Sequence, residues 1–204
     1  GRCNLNGSAE LGPFPEHAVT GLPVLDESRQ PLDLSRDNSW RRRLGGVSTG
    51  ELLHTMAANA VAPFVLCSRL LPLLAPPEPG SDGELAEASG VGRAWGHVIN
   101  VSALEGKFSV GKKSGGHPHT NMAKAALNML TCTSAPDYAR KRVLMNAVDT
   151  GWVTDNAPGG LGPRAKLHST HVAPPLDEID GAARVLDPLF LHVNTGWTRH
   201  GLFW

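Results

Sequence analysis

The amino-acid sequence predicts an α/β chain, a parallel β-sheet covered by helices. Two stretches carry the strand signal. "HVINVSA" (97–103) and "RVLMNAVD" (142–149) are short, apolar and rich in β-branched residues, the pattern of strands buried on both faces. Helical patterns at 48–74, 118–135 and 176–190 alternate with them. Helix, strand, helix, strand, helix is the order of a parallel sheet whose strands are joined by helical crossovers.

Each element has its own reason. Residues 1–47 mix Pro, Gly, Asp and Ser with no sustained period, so they predict an irregular segment with one short strand at its start. The helix over 48–74 opens with Ser48-x-x-Glu51, a capping box in which hydroxyl and carboxylate each satisfy a free backbone N–H. Leu53, Met56, Ala57, Ala60, Val61, Phe64 and Val65 follow at helical spacing; Pro63 is placed to kink this helix and Pro72 to end it. The 75–96 stretch, rich in Pro, Gly and Ser, reads as a flexible insertion loop, and 104–118 as a Gly/Lys-rich loop. In the next helix, Met122, Ala125, Ala126, Met129 and Leu130 form a stripe expected to face the core. Asp177 or Asp180 starts the helix at 176–190, and "TGWTRHGLFW" (195–204) is expected to hold a last strand.

Composition narrows the function classes. The chain has 204 residues, 41% apolar and 19% charged, with 19 basic residues against 19 acidic ones. Such a balance offers no electrostatic footprint for nucleic acid or an anionic membrane. The longest apolar stretch, 57–77, contains Arg69, Pro63 and Pro72 and is read as a buried helix, not a membrane span. Three cysteines at wide spacing, Cys3, Cys67 and Cys132, suggest neither a disulfide framework nor a zinc motif. A reducing, cytoplasmic location is expected.

In parallel sheets ligands bind beyond the carboxyl ends of the strands, so the loops at 103–118 and 149–175 are where a site is expected. Lys124 lies four residues after Thr120 on one helix face. Two roles are open to it: a cleft lysine that hydrogen-bonds a ribose, or a snorkelling surface charge. His117 and His119 precede the helix, and His119 could act as an acid or base near neutral pH. His168 and His171 form a second pair; two histidines without carboxylates and no HExxH sequence give no reason to expect a metal.

Four stretches, in this order, carry a resemblance: "MAANAVAPFVLCSRLLPLL", "HVINVSALEGKF", "HTNMAKAALNMLT" and "VLMNAVDTGWVT". Together they resemble the short-chain dehydrogenase/reductase family over about residues 48–155. The resemblance implies a Rossmann-like, doubly wound fold and hydride transfer between NAD or NADP and a carbonyl or alcohol of a small-molecule substrate. It gives Lys124 the family's lysine, which holds the nicotinamide ribose and lowers the pKa of the catalytic tyrosine. It gives Asn59 the helix asparagine of the proton relay and Ser102 the strand-end serine. Asn146, Gly151 and Val153 fall at the strand end beside the nicotinamide, with 151–175 as the substrate loop. "GRCNLNGSAE" looks like the family's "N-N-A-G" strand, which brings Asn6 to the cofactor. The helices at 48–74 and 118–135 match those that commonly form the family's dimer interface, so a homo-oligomer is implied.

The departures are as specific as the matches. Thr120 stands at the tyrosine position, and a hydroxyl of that kind is a far weaker acid than a phenol, whose pKa is about 10. The chain's one tyrosine, Tyr138, follows Lys124. Ala103 stands where the serine usually falls, and Thr150 replaces the proline of "N-A-V-x-P-G". No strand followed by a glycine-rich phosphate turn is present. The expectation is therefore a chain lacking the family's first βαβαβ half, read either as an oxidoreductase or as a non-catalytic relative or inactive product acting through its dimer-forming helices.

Overall fold

The computed structural model of the chain describes residues 38–76, 95–111, 113–153 and 174–204. Asn6 and the short strand expected near it, most of the 75–96 loop, and 154–173 with His168 and His171 lie outside the described residues. A 3-10 turn (Leu44–Gly46) leads into α1 (Thr49–Met56), which passes through a π-helical turn (Ala57–Val61) into α2 (Ala62–Leu74). Then come β1 (Gly96–Ser102), a 3-10 turn (Leu104–Gly106), α3 (Pro118–Arg140), β2 (Val143–Asp149) and α4 (Glu178–Thr195).

β1 and β2 pair in parallel, Gly96 opposite Val143 and Ser102 opposite Asp149, as the alternation predicts. The last strand expected over 195–204 is confined to its final residues. α4 runs on to Thr195 and is closed by Gly196 in a left-handed conformation, so only the stretch from Gly201 pairs with β2. There the Gly201 N–H donates to the Met145 carbonyl at 2.7 Å, and the Ala147 N–H donates to the Leu202 carbonyl at 2.9 Å. β2 is thus flanked on both sides, and Val143 through Val148 are all buried. Among the described residues no strand covers the outer edge of β1.

The alternation of side chains along β1 distributes its work. Val98 packs with Cys67, Ala135, Tyr138, Val143 and Met145 in the core under α2 and α3. Asn100, on the same face, donates its amide to the Thr131 hydroxyl at 2.9 Å. His97 turns the other way, toward His192 on α4.

α3 corrects one sequence reading. Its buried residues are His119, Ala123, Leu127, Thr131, Ala135 and Tyr138, not the Met122/Ala126/Met129 stripe. Met122 is 47% exposed and Met129 64% exposed. Small side chains at 123, 131 and 135 let the helix backbone approach the sheet closely, which methionines would prevent. The wider apolar stripe is left facing outward.

The capping box at 48–51 is half realised. Glu51 N–H donates to the Ser48 hydroxyl at 3.1 Å, but the Glu51 carboxylate turns away to a different set of partners. It accepts hydrogen bonds from the Ser39 hydroxyl and the Arg42 guanidinium. Nε2 of His119, a buried side chain at the start of α3, lies 3.3 Å from it. Next to this cluster His117 caps α3 in a left-handed conformation (φ 39°), its N–H donating to the Arg42 carbonyl at 2.9 Å. One carboxylate therefore ties the 38–46 segment, α1 and the start of α3 together. α4 has the complete reciprocal box, between Asp177 and Asp180.

Burial pushes the Glu51 carboxyl up, but hydrogen bonds from Ser39 and Arg42, the Arg42 charge and His119 together hold it below its ordinary value of 4.5. A carboxyl whose folded pKa is depressed contributes stability that is present above its unfolded pKa and lost as pH falls through the folded value. Glu51→Gln should therefore melt below the parent at pH 7, and the gap should close as pH falls below 4.5. Thermal melts of both proteins across that range check this; a gap independent of pH would contradict it.

Candidate active site

The π-helical turn is where sequence chemistry first produces a special backbone. In an ordinary helix the N–H of residue 63 would bond the carbonyl of Asn59. Pro63 has no N–H to give. The helix answers by widening: the Ala62 N–H reaches the Ala57 carbonyl, five residues back. Such turns concentrate at functional sites because they release a backbone group and re-aim a side chain. Asn59 sits in the middle of this turn, its amide donating to the Thr55 carbonyl at 3.1 Å.

The turn faces the upper end of β1. Asn59 and Lys124 line one cavity of about 460 Å³, walled by Pro63, Leu66, Cys67 and the edge of β1 from His97 to Val101. Lys124 is half-buried there, and its ammonium donates to the Val101 carbonyl at 2.9 Å. Burial pushes its pKa below the ordinary lysine value of 10.5. Its head group is thus turned to a strand edge at the cavity wall.

A second cavity, of about 410 Å³, opens on the other face of the strand ends. Val101, Thr150, Val153, Gly181 and Val185 give it an almost wholly apolar lining, with Glu178 at its margin. Gly151 follows the lining residue Thr150 in the chain. Its φ is +72°, and a Cβ there would lie 2.7 Å from Leu176, so only glycine fits. Asp149, which the motif reading passed over, holds the two strand-end loops together. One carboxylate oxygen accepts the Leu104 N–H at 2.5 Å and the other the Gly151 N–H at 2.6 Å. The signal that could have found it is local: an aspartate just before a Thr-Gly turn commonly accepts the N–H two residues on.

Four residues expected at the site lie elsewhere. Ser102 is buried, and its hydroxyl donates to the Asn128 side chain at 2.5 Å beneath α3. It faces the helix packing because it shares a strand face with Asn100; the next residue, Ala103, takes the place where a site serine would stand. Asn146 is also buried. Its amide donates to the Arg199 carbonyl at 3.0 Å and its side-chain oxygen accepts the Leu202 N–H at 3.1 Å, so it pins the C-terminal stretch to β2. His119, weighed as an acid or base, is buried against Glu51, outside both cavities. Thr120 is half-buried on the first turn of α3 and lines neither cavity. Among the described residues no group of three or more His, Cys, Asp or Glu is gathered as metal ligands.

The fold has solved counterparts. No family model matches the chain. The carbonyl reductase Sniffer of D. melanogaster superposes with a TM-score of 0.54 and 26% identity, over 79% of this chain and 57% of that one. The landomycin C-6 ketoreductase LanV, solved with NADP and rabelomycin bound, gives a TM-score of 0.52 at 21% identity, over 83% of this chain and 56% of that one. In sequence, an uncharacterized protein of Acanthamoeba polyphaga mimivirus is 29% identical over 166 residues, 78% of this chain and 31% of that protein. The chain has the fold of the short-chain dehydrogenases/reductases, and it spans little more than half the length of these solved relatives.

Ser102→Ala separates a structural from a catalytic serine. Removing the hydroxyl leaves the half-buried Asn128 side-chain oxygen without its donor, and should cost about 1–3 kcal/mol of folding stability. Denaturant unfolding of the variant checks this; an unchanged midpoint would contradict the packing role.

Proposed function

We propose that the chain forms part of an NAD(P)-dependent oxidoreductase of the short-chain type, moving a hydride between the nicotinamide and a carbonyl or alcohol. The observation that carries this is the cavity shared by Asn59, on its π-helical turn, and the half-buried Lys124. The residues present fit such a cofactor at its nicotinamide end. Lys124 would donate to ribose hydroxyls in the first cavity, and the flat ring would reach past Val101, which borders both cavities, toward the apolar surface of Val153. The cofactor, when bound, supplies or accepts the hydride. The chain's own part is to orient the ribose, exclude water with the apolar wall and handle one proton. With threonine at 120, outside the cavity, that proton would pass through a water held between Lys124 and the Asn59 turn. The lowered lysine pKa favours Lys124 as a donor in such a relay.

Two observations favour a second reading, a non-catalytic chain that acts through its helices. Ser102 and Asn146 are committed to packing, and Leu53, Val61, Phe64, Leu73 and Met129 are each more than half exposed. Thr49–Leu74 is long and apolar enough to cross a membrane by length and composition, with 6% of its most apolar window buried. Glu51 and Arg69 within it, and the exposed Met122 and Met129 on α3, suit a second copy of the chain better than lipid. The free Cys67 and Cys132 accord with a reducing cytoplasm.

Calorimetric titration with NADH and NADPH tests the first reading. Binding that Lys124→Ala weakens at least about tenfold, a loss of about 1.4 kcal/mol, supports it; no binding to a folded chain overturns it. Sedimentation velocity tests the second surface. The parent should sediment as a dimer or larger, and Phe64→Glu should shift it toward monomer, since charge at an apolar interface core costs several kcal/mol. A monodisperse parent monomer would contradict it.

A further inference from the structure

At the N-terminal end of β1, about 13 Å along the strand from Val101, stands a side-chain cluster to which neither reading gives a role, though His97 also borders the first cavity. His97 on β1 and His192 on α4 have ring centroids 5.2 Å apart, with planes tilted by 55°. Trp95 packs edge-on against His192 at 5.7 Å, and the Arg142 guanidinium lies 5.6 Å from the Trp95 ring centroid. Both histidines are partly open to solvent.

The tautomer of His192 follows from its partner. Its Nδ1 lies 3.0 Å from the Trp197 carbonyl. A carbonyl oxygen only accepts, so Nδ1 carries the proton and, in the neutral ring, Nε2 keeps its lone pair. A ring nitrogen fixed by a backbone carbonyl is the usual support of a metal-binding histidine. Two imidazoles on one ion, with metal–nitrogen bonds of about 2.0–2.1 Å, place their ring centroids about 4.5–5.5 Å apart. The observed separation falls in that interval.

We propose that His97 and His192 form a two-histidine site for a divalent first-row transition ion, joining α4 to the first residues of β1. Imidazole nitrogens select Cu²⁺, Ni²⁺ or Zn²⁺ over the oxygen-seeking Mg²⁺ and Ca²⁺. No third His, Cys, Asp or Glu joins the pair among the described residues, so water completes the coordination. Each imidazole holds the ion in place for the other, and losing either one removes that advantage. The bound ion would clamp α4 onto the sheet and raise folding stability by mass action.

The test is calorimetric titration of the full chain with Ni²⁺ alone at pH 7.5, followed in parallel by tryptophan fluorescence. The expected result is a saturable site of one ion per chain. His97→Gln and His192→Gln should each weaken it at least about tenfold, whereas H168N/H171N, which removes the other histidine pair, should leave it intact. Trp95→Phe should remove most of the Ni²⁺-dependent quenching. The proposal is overturned if the parent shows no saturable binding, if both glutamine variants bind as the parent does, or if binding disappears with H168N/H171N. Should a glutamine variant fail to fold, a Zn²⁺ titration of the unaltered chain read by imidazole NMR decides. The two ring signals that contact Trp95 and each other must move together, and their standing still overturns the proposal.

Discussion

The close packing of α3 on the two strands is the constraint from which the other features follow. Ala123, Leu127, Thr131 and Ala135 come down one helix face onto β1 and β2, and small side chains at three of these positions set a short helix-to-sheet distance. Thr131 completes the contact, accepting the Asn100 amide at 2.9 Å while donating back to the Leu127 carbonyl at 3.0 Å. With that face fixed, the rotation of α3 leaves no freedom. Lys124, one position on from Ala123, must emerge at the outer edge of β1. Met122 and Met129 must point away from the core. Gly106 must be glycine, because a Cβ there would lie 2.8 Å from the Ala125 nitrogen.

The second constraint is local and comes from Pro63. Its missing N–H widens the helix by one residue and sets Asn59 on the bulge. Neither the proline nor the lysine makes a site by itself. The packing of α3 brings Lys124 to the cavity from one side and the π-helical turn brings Asn59 from the other. Ser102 stays outside the cavity because its hydroxyl is drawn to the Asn128 side chain beneath α3.

This explains which parts of the molecule were legible in the sequence. β1 and β2 were, since strands buried on both faces leave an apolar, β-branched record that little else imitates. So were the helix starts at Ser48 and at Asp177 or Asp180, which rest on capping patterns. The buried face of α3 was not. Hydrophobicity singled out Met122 and Met129, whereas close packing selected alanines and a threonine, which hydropathy ranks low. The partners of Ser102 and Asn146 were not legible for a related reason: a motif gives the position of a polar side chain but not the strand face it occupies or the partner that claims it. Glu51 was expected to close its own helix cap, and no pattern within α1 shows that Ser39, Arg42 and His119 would compete for its carboxylate.

Lys124 carries a conflict that any function of the cavity must resolve. Its ammonium satisfies the Val101 carbonyl on an edge where, among the described residues, no strand pairs. A hydrogen bond from a charged donor contributes about 1.5–3 kcal/mol, so a ligand that draws the lysine away must replace that bond or leave a carbonyl unmet. A ribose offers two hydroxyls that accept from the ammonium, and water can then reach the strand edge. A small anion also accepts from the ammonium, but brings no donor to the carbonyl. The edge position of Lys124 therefore favours a ligand with hydroxyl groups that both donate and accept. That preference follows from the bond the lysine already makes, independently of any relative the fold resembles.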